Sequence, residues 1–306
     1  MVNRIVEIAE NGQYICKQRG FISVKKENEV VGQVATEDIG VLMLTAFGVT
    51  ITKEALVALS DQGAVTILCG NNYLPAAFVI PAIGNYEAPK RIRLQLLASL
   101  PLKKRLWQSL VTEKLNNQAK VLRSYNSEAE ALKLEAIARH VLSGDPSNTE
   151  AQGARLYWPS LFGKDFRRDP EGKWPNAPLN YGYAILRSSL ARAICCAGLL
   201  PVLGIHHGND TNPFPLADDL MEVYRPLVDY YVKGICQKGE REMTPTVKQG
   251  ISALIWADLR LEGQNSPFYN AVEYLVGSFV ESLKAKTPQL RIAQLPDTNH
   301  DNAKLI

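Results

Sequence analysis

The spacing of hydrophobic positions changes once along this chain, and the change divides it. Up to residue 80, apolar and β-branched side chains come in short bursts at 4–8, 14–16, 21–24, 30–34 and 41–44. Asn, Gly or charged clusters bound each burst and suit turns, so each reads as a strand. One helix interrupts them. Ala55, Leu56 and Leu59 recur at helical spacing within 53–62, with Thr52 placed to cap the start and Gly63 just past the end. Segments 64–69 and 76–80 return to the strand pattern. The simplest assembly of these pieces is a small sandwich-like β-domain.

Residues 81–85, Pro-Ala-Ile-Gly-Asn, read as a linker. After them apolar residues recur every three or four positions. Helices are predicted over 94–97, 102–122, 128–142, 150–162, 183–199, 216–233, 246–261 and 268–286. Pro101 suits the first turn of the second helix, and Asn148 or Thr149 suits the cap of the fourth. From Pro288 onward the chain is polar, and a mobile tail is expected. The predicted fold class is α+β: a β-sandwich-like domain over 1–85, then a larger all-α domain over 86–306.

Composition narrows the function classes. The chain has 306 residues with 46% hydrophobic content, ordinary for a soluble globular protein. The longest uncharged apolar stretch, 193–205, contains Pro201 and is shorter than the about 20 residues a membrane helix needs. The first residues carry no secretory pattern, and the five cysteines form no Cys-x-x-Cys pair, so a cytoplasmic protein with reduced thiols is expected. The net charge of +3 hides an asymmetry, since nine basic residues between Lys90 and Arg123 face only one acid, Glu113. Such an excess attracts phosphate through counterion release, although a solvated helix face has the same appearance.

Three places concentrate metal-competent side chains: Glu150 at a helix start, the pair His206-His207, and the acids Asp218, Asp219 and Glu222. Asp219 and Glu222 lie three apart and Asp218 and Glu222 four apart, so either pair shares a helix face. Two carboxylates, an imidazole and a distant carboxylate would make a mixed oxygen and nitrogen site, which suits Mn²⁺ or Mg²⁺ better than zinc. First-turn acids also complement the helix dipole, and loop histidines are common, so spacing alone leaves both readings open. Arg155, Lys164, Arg167, Arg168, Arg187, Arg192 and Arg225 recur beside these candidates. Anionic metal ligands among basic groups are what phosphodiester chemistry requires. Salt bridges within the domain would need the same arginines.

The ordered segments Glu150-Ala-Gln-Gly-Ala-Arg155-Leu-Tyr-Trp158, Leu179-Asn-Tyr-Gly-Tyr-Ala-Ile-Leu186, Gly198-Leu-Leu-Pro-Val-Leu-Gly-Ile-His-His207 and Asp219-Leu-Met-Glu-Val-Tyr-Arg-Pro-Leu-Val-Asp229 carry a resemblance. Over roughly residues 145–232 the chain resembles the CRISPR-associated adaptation integrase/endonuclease family, the universal "Cas one" nuclease. The Asp145-Pro-Ser-Asn approach to Glu150 and the Phe166-Arg-Arg that follows are most similar to members from type II systems.

The resemblance implies Glu150, His207 and Glu222 as ligands of Mg²⁺ or Mn²⁺, and Asp219 as an acid that supports or joins the site. It implies a DNA 3′-hydroxyl attacking a repeat-border phosphodiester. DNA contacts are expected from Lys90, Arg91, Arg93, Arg155, Lys164, Arg167, Arg168 and Arg192. The implied partners are double-stranded and branched DNA, a second copy through the β-domain, a small ferredoxin-like bridging protein and, for type II, the RNA-guided effector nuclease. Two other readings compete: a non-catalytic DNA-binding scaffold whose motif residues form buried ion pairs, and an unrelated metal-dependent hydrolase of small phosphate esters.

Overall fold

The computed structural model describes residues 4–70, 75–82, 87–169, 171–208 and 211–296. The chain divides into two compact units, one comprising residues 1–89 with 192–199 and the other 90–191 with 200–306. Linker residues 83–85 and tail residues 297–306 lie outside the described residues.

The first unit contains two four-stranded sheets. One has the order β1 (Arg4–Ile8), β5 (Ile39–Leu44), β7 (Val65–Cys69), β8 (Pro75–Val79). The other has the order β4 (Glu29–Ala35), β3 (Phe21–Lys26), β2 (Tyr14–Gln18), β6 (Thr50–Ile51). The pairings of β1 with β5, β5 with β7 and β2 with β6 are parallel. Parallel neighbours need a crossover, and α1 (Lys53–Asp61) lies between β5 and β7 in sequence. Every residue of β5 is buried, as a central strand covered on both faces requires. Ile15, Ile22, Leu42 and Leu44 meet Ala55 and Leu59 of α1 in the core.

Both ends of α1 match their sequence signals. Thr52 accepts a hydrogen bond from the Ala55 amide at 3.2 Å. At the other end Gly63 adopts φ +74°, and the Ala64 amide returns to the Leu59 carbonyl at 2.9 Å.

The helices from α2 onward lie mostly in the second unit: α2 (Ala88–Leu96), α3 (Leu100–Ser124), α4 (Glu128–Ala138), α5 (Thr149–Phe162), α6 (Asn176–Cys196), α7 (Pro215–Met221), α8 (Arg225–Gln237), α9 (Pro245–Ser252) and α10 (Phe268–Ala285), with residues 88–89 of α2 and 192–196 of α6 belonging to the first. A 25-residue helix is about 37 Å long, and α3 buries apolar residues from Leu102 to Leu122. Lys114, Asn117 and Gln118 are buried on it as well.

Three expectations are corrected here. The helix predicted over 246–261 ends early: α9 gives way to a 3₁₀ turn, and β9 (Asp258–Leu261) pairs antiparallel with β10 (Gln264–Pro267). Glu262 and Gly263 both hold positive φ, 51° and 82°, as a two-residue type I′ hairpin turn demands. The helix predicted over 216–233 is broken by a 3₁₀ turn at Glu222–Tyr224. Pro226 has no amide to return to the Glu222 carbonyl, so the ladder tightens there. The tail is anchored as far as it is described: Gln294 exchanges backbone hydrogen bonds with Arg260, and Ala293 and Leu295 are buried.

Candidate active site

Carboxylates from two helices converge on α3. The start of α5 is built by Asp145 and Asn148. Asp145 accepts from the amides of Thr149 at 2.7 Å and Glu150 at 3.0 Å, and Asn148 accepts from Ala151 at 3.3 Å. These contacts satisfy amides that a helix start leaves without partners. Gly153, one turn on, lets α5 lie close to α3, since a Cβ there would stand 2.2 Å from Leu115 Cδ2. The result is Glu150 Oε1 at 2.5 Å from Lys114 Nζ.

The three acids of the α7 region take three different partners. Asp218 is bidentate to Arg187, at 2.7 and 2.9 Å, and accepts from Asn212 at 2.6 Å. Asp219 is completely buried. Glu222, also buried, reaches Lys114 Nζ at 2.6 Å and lies 2.7 Å from Arg225 Nε. Lys114 therefore bridges Glu150 and Glu222.

The histidine loop is held from three sides. Gln95 donates to the carbonyls of Leu200 at 2.8 Å and Leu203 at 3.0 Å, and accepts from the Leu200 amide at 3.0 Å. Lys103 donates to the Gly204 carbonyl at 3.2 Å. Asp219 Oδ2 accepts from the amides of Ile205 at 2.6 Å and His206 at 2.9 Å, while Oδ1 accepts from the His207 amide at 3.1 Å. Oδ1 also lies 2.6 Å from His207 Nδ1. Gly204 is required here because a Cβ would meet the His207 carbonyl at 2.5 Å. Trp107 of α3 stacks on the His206 ring at 4.3 Å and meets the His207 ring edgewise at 5.2 Å.

Electrostatics follow from these contacts. Burial pushes the Glu222 carboxyl upward, but Arg225 and Lys114 outweigh it and hold the group at about 2. Burial lowers the Lys114 ammonium, and Glu222 and Glu150 overcome that to raise it. The Asp219 hydrogen bond raises His207, and the Glu222 and Glu150 charges add to the effect. Behind Glu222, the Arg225 guanidinium lies 4.5 Å over the Tyr183 ring. The Tyr183 and Tyr157 hydroxyls donate to buried Asp229. Burial raises Asp229 to about 6 against those two hydrogen bonds.

Among the described residues no three His, Cys, Asp or Glu side chains stand close enough to hold a metal ion as they are. The donor chemistry nonetheless fits a hard divalent cation. A lysine ammonium already stands between the two carboxylates, and Asp219 occupies His207 Nδ1, so Nε2 is the ring nitrogen that Asp219 does not engage. The duplicated pairs separate cleanly. The His207 ring, not the His206 ring, meets a side-chain carboxylate, and that carboxylate is Asp219, since Asp218 is held by Arg187.

The basic residues divide too. Lys90, Arg93, Arg155, Lys164 and Arg167 are exposed, and Arg91 is half-buried. Arg168 is engaged with Asn176 at 2.9 Å, with Asn180 at 2.5 Å, and with the Tyr183 ring at 5.1 Å. Arg192 is 7% exposed and lies within the apolar last turns of α6. Sequence reading passed over Lys114, Trp107 and Gln95. Lys114 carried a signal, since it falls on the apolar stripe set by Leu110, Val111 and Leu115.

The fold is shared with casposase and CRISPR-associated chains. A casposase bound to an integration product superposes with a TM-score of 0.80 at 18% identity, covering 94% of this chain and 92% of that one. A chain of a Cas6-RT-Cas1–Cas2 complex superposes with a TM-score of 0.75 at 17% identity, covering 95% of this chain and 36% of that one. Residues 6–252 match the family model of CRISPR associated protein Cas1, and the chain belongs to that family. It is 35% identical over 291 residues to the CRISPR-associated endonuclease Cas1 of Neisseria meningitidis serogroup C (strain 8013), covering 94% of this chain and 95% of that protein.

Proposed function

We propose that this chain is a divalent-metal-dependent DNA endonuclease and integrase that inserts captured DNA into a CRISPR array. One observation carries the reading: Glu150 and Glu222, from different helices, meet on a cation beside a histidine braced by a buried carboxylate. Family membership and the casposase-like fold support it.

Glu150, Glu222 and His207 Nε2 would hold Mg²⁺ or Mn²⁺. Such an ion supplies Lewis acidity at the scissile phosphate and lowers the pKa of the attacking hydroxyl. In the neutral ring, a proton on Nδ1 facing Asp219 would leave the lone pair on Nε2 for a metal ion. Arg225 keeps Glu222 ionised inside the protein. Arg155, Lys164 and Arg167 hold the DNA backbone in register through phosphate contacts. In the reaction a DNA 3′-oxygen forms a bond to phosphorus, the bond to the repeat strand's 3′-oxygen breaks, and the proton passes from the attacking to the leaving oxygen. The number of phosphodiester bonds is unchanged.

The N-terminal β-rich unit would serve homodimerisation, with a Cas2-type ferredoxin-like protein bridging dimers; the similarity to a chain of a Cas1–Cas2 complex supports the bridging partner alone. A type II effector nuclease is the further expected partner. No helix among the described residues is long and apolar enough to cross a membrane.

The test is strand transfer into repeat-containing DNA with the bridging partner, run with Mg²⁺, with Mn²⁺ and with a chelator. Glu150→Ala, His207→Ala and Glu222→Ala should abolish joining while DNA affinity persists. Full-rate joining by Glu150→Ala would remove that residue from the ligand set. A second reading, a DNA-binding scaffold, draws on the same ion pairs, because Lys114 and Arg225 already neutralise the acids. It predicts no joining with either metal and no Mn²⁺ binding by calorimetry.

A further inference from the structure

Lys114 is unlike the other cations of its helix. It is buried, and its ammonium touches carboxylate oxygens from two separate helices, Glu150 at 2.5 Å and Glu222 at 2.6 Å. A buried ion pair is weak as a stabiliser, because desolvation offsets most of the attraction. Glu222 is moreover already paired with Arg225 at 2.7 Å, so neutralising that carboxylate does not by itself require a second cation. What Lys114 adds is a bridge between the two acids.

We propose that Lys114 is the resident cation of the unloaded site, displaced from between Glu150 and Glu222 when a divalent ion enters. The inference rests on the metal-site reading above and concerns how that site is kept and filled. Two carboxylates this close repel each other, and the ammonium suppresses the repulsion while the site awaits metal. A divalent ion held by the two carboxylates would repel the ammonium at short range, which favours its departure. The lysine stem is flexible and turns on four carbons, whereas a guanidinium would keep a fixed fork. Trp107 and Lys114 sit seven residues apart on α3, so one helix both braces the histidine and holds the acids.

Two consequences follow. Metal binds by exchange, so the lysine weakens apparent metal affinity. The unloaded protein in turn stays assembled, and its melting temperature gains little from metal.

The experiment measures Mn²⁺ binding by calorimetry and melting temperature with and without Mn²⁺, at one pH, for the wild-type chain, Lys114→Gln, Lys114→Met and Lys114→Arg. Lys114→Gln and Lys114→Met should bind Mn²⁺ at least about tenfold more tightly than wild type, melt lower without metal, and gain more from Mn²⁺. Lys114→Arg keeps the positive charge and should bind Mn²⁺ no more tightly than wild type. Equal or weaker binding by a folded Lys114→Gln protein overturns the displacement and leaves the metal site standing. No binding by any of the four proteins overturns the metal site itself, and the displacement with it. Should the neutral variants fail to fold, the wild-type chain still decides by ¹⁵N NMR of its lysine ammonium groups. The Lys114 signal must shift on adding Mg²⁺, and a constant signal at saturation refutes the exchange.

Discussion

Asp219→Asn is the most informative single change, because it keeps the side chain's shape and removes one acceptor. The wild-type carboxylate is fully buried and takes four contacts, from the amides of Ile205, His206 and His207 and from His207 Nδ1. An asparagine oxygen can keep the first two. Its amide NH₂ then faces the His207 amide, donor against donor. A buried amide left without an acceptor costs about 1–3 kcal/mol, and the remaining bonds lose their charge assistance. The total is roughly 3–5 kcal/mol, on the order of a 10 °C fall in melting temperature for a unit of this size. The same NH₂ donates to His207 Nδ1, which moves the imidazole proton to Nε2, the atom proposed above as a metal ligand. Loss of such an orienting partner typically lowers metal affinity about 10–100-fold. The assays are differential scanning fluorimetry, Mn²⁺ calorimetry and strand transfer on the same preparation. If Asp219→Asn melts within about 2 °C of wild type and binds Mn²⁺ within about twofold, the carboxylate does not set the histidine's orientation, and the reasoning fails.

Gly204→Ala places a methyl against the His207 carbonyl, which cannot yield without moving the loop, so urea unfolding should show a loss of about 1–3 kcal/mol and joining should collapse. Asp229 tests the pH dependence. Burial raises its carboxyl from 3.8 to about 6, so its favourable contribution is complete below the unfolded value and is lost as pH rises through about 6. The stability of wild type relative to Asp229→Asn should therefore fall by roughly 3 kcal/mol between about pH 4 and pH 7, and a flat difference across melts in that range would contradict the assignment. Alanine at Arg155, Lys164 or Arg167 should weaken DNA binding and reduce the salt slope by about 1 each in anisotropy titrations. Arg168→Ala should instead lower the melting temperature, since its guanidinium joins Asn176, Asn180 and Tyr183.

What could be read from the chain alone depended on how local the cause was. Thr52, Asn148 and Gly63 announced helix ends because capping involves residues a few positions apart, and the structure uses all three. Strand segments were visible, but their partners were not. Nothing in the pattern of β2 says that Thr50–Ile51 will lie parallel beside it. The hairpin at Glu262-Gly263 was hidden by its apolar flanks, since Leu259 and Leu261 fit a helical repeat as well as an alternating one. At the site the residue types were legible and their division of labour was not. Asp218, Asp219 and Glu222 look alike in sequence. Arg187, the histidine loop and Lys114, all distant in the chain, decide which acid does what.

Lys114 shows where such reading stops and how it could go further. Counted with its basic neighbours, it belongs to a stretch that attracts phosphate. Placed on the helical repeat, it falls on the buried stripe of α3 beside Leu110, Val111 and Leu115, where a lysine is tolerated only with partners. The same stripe carries Asn117, which donates to the Val223 carbonyl at 2.9 Å and accepts from the Leu295 amide at 3.1 Å. One polar side chain thus fixes the turn that carries Glu222, and another bridges Glu222 to Glu150. A helix that buries polar groups over two successive turns gives up apolar packing there. That sacrifice marks the place where α3 serves the site rather than the core.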